Sequence, residues 1–150
     1  MRNLLLVLTL LLLGLGGYFG ARHFAGPPAV PVLNPDAPCD LGAGPCRHPL
    51  PGGGRLELAL SPRPVPLMQR VRVTVRVEDG DWRPERGLIT GLNMRMAPNP
   101  VSLAPAGPGR WEGETILPVC SQRRMHWRLA LFLEGKGGRR QIHDEFHTSR

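Results

Sequence analysis

The 150-residue sequence predicts an all-β domain, an immunoglobulin-like β-sandwich of about seven strands, behind a single N-terminal transmembrane helix. An uncharged apolar run opens the chain, and after residue 54 short alternating stretches are separated by turns rich in Gly and Pro. Alternation with a period of two is typical of strands that bury one face. We therefore divide the chain into a signal anchor over 1–24, a Pro/Gly-rich tether over 25–54 and a sandwich over 55–150.

The apolar run from Leu4 to Phe19 predicts a membrane anchor. Its length of about 16 to 18 residues is at the short end for a spanning helix. Because Arg2 supplies a positive N-terminal region, a cleaved signal peptide is the alternative. Cleavage needs small residues before the cut, but bulky residues stand two positions before the candidate cuts after Ala21 and Ala25. The sequence favours an uncleaved anchor.

The topology prediction places the C-terminal domain in the periplasm, held by a single pass through the inner membrane. Arg2 and Arg22 lie on opposite sides of the run, so the positive-inside rule gives almost no preference for one orientation. The Pro-rich stretch from Ala25 to Pro38 is typical of a semi-rigid tether. The tether and the cysteines both suit an oxidising compartment.

The strand predictions rest on the alternation of apolar and polar residues along the chain. The clearest segment is Arg70–Val77, in which four valines share one face and the polar residues share the other. Met125–Leu133 alternates in the same way. The predicted strands cover residues 56–60, 70–77, 88–96, 101–104, 110–117, 125–133 and 139–147.

Charge and motifs exclude several classes of function. The formal net charge of +7 suits a basic surface beside an anionic bilayer. Aromatic residues make up 5% of the chain and form no stacking platform, so we predict no nucleic-acid binding. Cys120 and His126 have no spacing that specifies a nucleophile and base, and hydrolase or phosphate-binding motifs are missing. The sequence predicts a protein without catalytic activity.

Three cysteines permit one internal disulfide and leave one thiol over. Cys39 and Cys46 enclose a loop with glycine and proline, so they can close on each other. Cys120 would then be either a buried small apolar residue or a soft metal ligand. The other possibility pairs Cys120 with one of the first two, which would pin the N-terminal segment to the sandwich.

Four residues with soft sulfur atoms suggest a metal site. Met94 and Met96 project from one face if their segment is extended, and Cys120 lies close in sequence to Met125. Thioethers and thiolates select Cu(I) over harder ions. His126 is a weaker candidate because a regular strand points it away from Met125. The alternative is that the methionines only fill an irregular core.

Gly91-Leu92-Asn93-Met94-Arg95-Met96 and Leu117-Pro118-Val119-Cys120 are among several distinctive motifs of the chain. Together these motifs resemble those of small membrane-anchored bacterial envelope proteins, often hypothetical, that occur alongside copper-delivery and cytochrome oxidase assembly proteins. The layout is also remotely similar to FixH-like and YtkA-like domains. The chain lacks the Cys-x-x-x-Cys of Sco-type chaperones, because six residues separate Cys39 from Cys46. The motifs are Cys39-Asp40-Leu41, Gly44-Pro45-Cys46, Gly91-Leu92-Asn93-Met94-Arg95-Met96, Gly109-Arg110-Trp111, Gly113-Glu114, Leu117-Pro118-Val119-Cys120 and Met125-His126-Trp127.

This resemblance implies copper handling in support of respiratory oxidase assembly. We expect Cu(I) at Met94, Met96, Cys120 and Met125, with copper chaperones or oxidase assembly proteins as partners. The alternative is a non-catalytic interaction module that holds another envelope protein without metal. In that alternative the methionines are core residues and the cysteines form stabilising cross-links.

Overall fold

A computed structural model describes residues 2–24 and 29–150, with side chains described over 6–20 and from residue 29 onward. Helix α1 spans Arg2–Phe24, and its large apolar side chains between Leu6 and Phe19 are exposed. In the described part of the chain, no helix reaches the length and hydropathy of a membrane span. Met1 and residues 25–28, which belong to the predicted anchor and tether, lie outside the described residues.

Two antiparallel sheets face each other, so the all-β sandwich prediction is confirmed. One sheet has the order β1-β2-β3-β7-β6 and the other the order β5-β4-β8-β9. The strands are β1 (Cys46–Pro49), β2 (Arg55–Ser61), β3 (Arg70–Glu78), β4 (Arg83–Gly91), β5 (Asn99–Ser102), β6 (Ala104–Gly107), β7 (Arg110–Ile116), β8 (Arg124–Gly135) and β9 (Gly138–Ser149).

The core lies between the sheets and follows the alternation of the sequence. In β3, Val71, Val73 and Val75 are fully buried, whereas Arg72 and Arg76 face solvent. In β8, every second residue from Met125 to Leu133 is buried. Each fully buried aliphatic side chain contributes about 1.5–3 kcal/mol, so these two central strands hold the sheets together.

Residues 29–150 form nine strands rather than the predicted number of about seven. β1 and β6 were not predicted, because β1 has no apolar run and the four residues of β6 are all exposed. The predicted strand 88–96 is wrong at its far end, because β4 stops at Gly91 and residues 92–98 form a loop.

The segment predicted as a tether packs on the sandwich over its described part. Val32 and Asp40 form parallel bridges with Gln141 and Glu145 of β9. The N–H groups of Leu33 and Gln141 bond to the carbonyls of Gln141 and Pro31 at 2.8 and 2.9 Å. The segment therefore covers the edge of β9 and belongs to the folded domain from about residue 30 onward.

A buried carboxylate fastens this segment. Asp144 is fully buried, and one of its oxygens accepts hydrogen bonds from the Cys39 N–H at 3.0 Å and from Asn34 Nδ2 at 3.2 Å. Its other oxygen lies 2.7 Å from His48 Nε2 in β1. One side chain thus joins the N-terminal segment, the edge strand of one sheet and the edge strand of the other.

The sandwich has two different ends. Residues 29–31 join it beside Gln141, near the β8–β9 turn. The opposite end, called the distal end below, consists of loops 62–69, 92–98 and 117–123 together with Arg150. From Gln141 to Ser149, β9 rises about 26 Å at 3.3 Å per residue, which separates the two ends.

Candidate metal centre

The four predicted sulfur residues all lie at the distal end. Met94 and Met96 lie in loop 92–98, Cys120 lies in loop 117–123, and Met125 is the second residue of β8. They are called the sulfur cluster below. Two parts of the chain that are separated in sequence, loop 92–98 and residues 120–125, therefore contribute to this end of the sandwich.

The loop that carries two of the methionines is fixed to β8. The Leu92 N–H donates to the His126 carbonyl at 2.8 Å. The Asn93 side chain donates to the Arg124 carbonyl at 3.0 Å and accepts from the His126 N–H at 3.1 Å. Because Asn93 pairs with backbone groups, it holds Met94 next to β8 without a ladder of strand hydrogen bonds.

The sulfur atoms of Cys120 and Met96 lie 3.8 Å apart. A side-chain carbon placed on Gly91 would lie 3.2 Å from the Met96 sulfur and 3.1 Å from the Met125 methyl carbon. The ends of both methionines therefore meet over the Gly91 backbone. A larger residue at position 91 would push them apart.

Met94 lies beside the residue that follows Cys120. Its sulfur lies 3.8 Å from the hydroxyl of Ser121, the residue after Cys120. Met125 is 1% and Cys120 8% exposed, whereas Met94 and Met96 are half-buried. A surface depression lined by residues 91–96 opens beside them. The exposure of the side chains in the cluster therefore increases from Met125 and Cys120 to Met94 and Met96.

The donor set fits a soft cation. Two sulfur ligands at about 2.3 Å from one tetrahedral ion lie a little under 4 Å apart, and Cys120 and Met96 already have this spacing. Among the residues described, no three side chains of the His, Cys, Asp or Glu type come together as a metal site. His126 faces outward and bonds to Glu145 at 2.7 Å, so it is not part of the cluster.

The disulfide alternatives are resolved. The sulfur atoms of Cys39 and Cys46 lie at bonding distance, 2.02 Å. Cys120 is free and buried. The odd thiol is therefore that of Cys120, which lies beside Met96.

The sequence analysis did not assign Met68 to the site. Its N–H donates to the Leu117 carbonyl at 2.9 Å, and its side chain is exposed at the distal end. Its backbone has a φ of 56°, in the left-handed region. No periodic pattern marks this Pro-rich loop, so only the strand topology could have placed Met68 near the cluster.

Beside the cluster, the outer face of β8 and β9 carries titratable groups. Burial acts to raise the pKa of Glu145, but hydrogen bonds from Arg128 and His126 outweigh it and hold that pKa below its usual value. The His126 and His147 rings stack at 4.3 Å. Burial, followed by the charges of His126 and Arg124, lowers the pKa of His147. This face therefore resists protonation of His147.

Comparisons with known proteins add no assignment to this geometry. No protein-family model, curated protein or solved structure matches the chain. The resemblance to copper-associated envelope proteins therefore stays a prediction based on the motifs. What the cluster can do must be argued from its own chemistry.

Proposed function

We propose that the chain is a membrane-anchored periplasmic protein that binds Cu(I) and delivers it in support of respiratory oxidase assembly. The N-terminal helix would hold an immunoglobulin-like sandwich at the inner membrane. The observation that carries the proposal is the free thiol of Cys120 only 3.8 Å from the Met96 sulfur, at the end of the sandwich where Met94 and Met125 also lie.

Cu(I) suits this donor set better than other common metals do. Soft sulfur ligands favour Cu(I), whereas oxygen ligands favour magnesium and calcium. A thiolate at Cys120 would supply one negative charge, and the neutral thioethers of the methionines would add none. The low exposure of Cys120 and Met125 limits access of water to the ion.

The gradient of burial suits transfer as well as binding. Cys120 and Met125 provide the inner part of the site, while Met94 and Met96 lie half-buried on a loop at the surface. A partner can exchange its own sulfur ligands for these two thioethers without opening the core. We expect Met94 and Met96 to be the first ligands that a partner replaces.

The anchor is part of the same proposal. No helix in the described part of the chain reaches the length and hydropathy of a span, so the anchor rests on the backbone of Arg2–Phe24, about 35 Å long at 1.5 Å per residue, and on the composition of its described side chains. Its described side chains from Leu6 to Phe19 carry no charge, and the large apolar ones are exposed. The Cys39–Cys46 pair suits an oxidising compartment on the far side.

The competing function is an interaction module that binds no metal. Met125 is 1% exposed and belongs to the hydrophobic core, as a methionine that only fills space would. Under this alternative, the sulfur spacing is a result of packing, and copper would bind only weakly.

Titration with Cu(I) separates the two functions. The full chain in neutral detergent micelles, kept reduced, would compete for Cu(I) with a chromophoric chelator. We expect one equivalent bound by the wild type and at least about tenfold weaker binding, 1.4 kcal/mol, by Met94→Leu/Met96→Leu. The control is Met68→Leu, which removes an exposed methionine from the same end and should bind like the wild type. Absence of stoichiometric binding, or equal affinity in all three proteins, would refute the proposal.

A further inference from the structure

The distal end carries the exposed large apolar side chains of the sandwich. Within residues 29–150, the large apolar residues that are exposed share this one end, and they are called the distal apolar patch below. They are Met68, Leu92, Ile116 and Val119, with exposed fractions of 64%, 39%, 53% and 51%. Such residues scattered singly need no explanation, but grouped at one end around a site they mark a contact surface.

Four exposed arginines surround the same site, and they are called the distal arginines: Arg95, Arg123, Arg124 and Arg150. Arg95 stands between Met94 and Met96 of the sulfur cluster. The Arg150 N–H donates to the Arg123 carbonyl at 3.2 Å, and the Arg124 carbonyl accepts from Asn93 at 3.0 Å. The arginines thus belong to the same set of loops as the sulfur cluster.

Several arginines elsewhere on the sandwich are paired with carboxylates, although among the described side chains Arg76, Arg83, Arg86 and Arg140 are not. On the outer face of the five-stranded sheet the pairs are Arg47–Glu57, Arg55–Glu78, Arg70–Glu114 and Arg110–Glu112. At the end opposite the distal one, Lys136 pairs with Asp81 at 2.5 Å. Across the described side chains, by contrast, none of the distal arginines has a side-chain carboxylate within ion-pairing distance. Positive charge is therefore left without partners at the distal end.

We infer that the distal end docks onto an acidic face of a partner protein that has an apolar centre. The distal apolar patch would bury against that centre, and the distal arginines would pair with carboxylates around it, because arginine and large apolar residues dominate protein interfaces. The inference deepens the proposed function and rests on it for the cargo, since docking here would bring the partner's ligands to Met94 and Met96.

Charge and apolar groups together also suit an anionic membrane, but the course of the chain favours a protein. The chain joins the sandwich beside Gln141, and the distal end lies about 26 Å further along β9. If the N-terminal helix holds the domain at a membrane, the distal end is the part that can extend away from the lipid. A protein that stands off the bilayer can reach it there.

The test uses a synthetic peptide of Asp, Glu and Leu residues as the acidic and apolar probe. Binding to the full chain in neutral detergent micelles would be measured at low salt by fluorescence anisotropy. We expect substitution of all four distal arginines by glutamine to weaken binding by about tenfold, since each exposed pair contributes only a few tenths to one kcal/mol. The matched control replaces Arg47, Arg55, Arg76 and Arg110, which lie away from the distal end, by glutamine and changes the net charge equally.

Three outcomes decide the matter. Loss of binding confined to the distal variant supports the inference, and an equal loss in the control would overturn it as attraction by net charge alone. Binding to phosphatidylglycerol vesicles through the distal arginines, with no binding of the peptide, would overturn it in favour of a membrane. Cu(I) affinity measured on the same variants keeps the two proposals apart, because the arginine variants should still bind copper and Met94→Leu/Met96→Leu should still bind the peptide.

Discussion

Replacement of Asp144 by alanine should cost about 4 kcal/mol of unfolding free energy. The change removes the acceptor of three hydrogen bonds, from His48 at 2.7 Å, the Cys39 N–H at 3.0 Å and Asn34 at 3.2 Å. A buried polar group left without its partner costs about 1–3 kcal/mol. His48 is 7% exposed, so we assign it about 2 kcal/mol. Cys39 and Asn34 are half-buried, where water can replace part of the loss, so about 1 kcal/mol each is expected.

Urea unfolding of the full chain in neutral detergent, followed by tryptophan fluorescence, measures this cost, because Trp127 is fully buried in the native state. Asp144→Asn keeps one oxygen acceptor and should lose about half as much. The control Asp36→Asn changes the same charge at an exposed position of the same segment and should stay within about 0.5 kcal/mol. If Asp144→Ala loses less than about 1 kcal/mol, the carboxylate does not fasten the N-terminal segment.

Three further predictions concern titration, packing and thiols. Burial lowers the pKa of both His143 and His147 below 6.5, so the unfolded chain binds more protons than the folded chain at acidic pH. The contribution of these two histidines to the stability of the fold is therefore complete above about pH 6.5 and is lost as the pH falls through the lowered pKa values. The melting temperature should therefore fall on acidification, and it should fall less in His143→Gln/His147→Gln. Identical slopes of melting temperature against pH in the two proteins would contradict this. Gly113→Ala would bring a carbon within 2.4 Å of the Ser102 carbonyl oxygen and should cost about 2 kcal/mol in urea unfolding, so an unchanged midpoint would count against the close approach of β7 to β5. Thiol titration of the unreduced, denatured chain should find the single thiol of Cys120, and three thiols would disprove the disulfide.

The central strands could be predicted from the sequence because their signal is local. Alternation in β3 predicted residues 70–77 and the strand covers Arg70–Glu78; alternation in β8 predicted 125–133 and the strand covers Arg124–Gly135. The packing of the N-terminal segment on β9 could not be predicted in this way. Asn34 bonds to the backbone of His143 across 109 positions of sequence, and Pro-rich composition gives no local sign of such a contact.

The sulfur cluster was predicted on partly wrong grounds. Met94 and Met96 were expected on an extended strand, but they lie in a loop after Gly91. Met96 still contacts Cys120, because Asn93 fixes that loop to β8 and Gly91 leaves room for the ends of Met96 and Met125. The surrounding apolar and arginine residues could not be found from the sequence, since their meeting depends on which loops share an end of the sandwich.

The central claim is that one Cu(I) ion binds at the sulfur cluster. X-ray absorption at the copper edge of the Cu(I)-loaded full chain tests it most directly, because it identifies the atoms bound to the metal. The account predicts a first shell of sulfur atoms alone, with fewer of them in Met94→Leu/Met96→Leu. A shell of nitrogen or oxygen atoms, or a chain that retains no copper to measure, would contradict it.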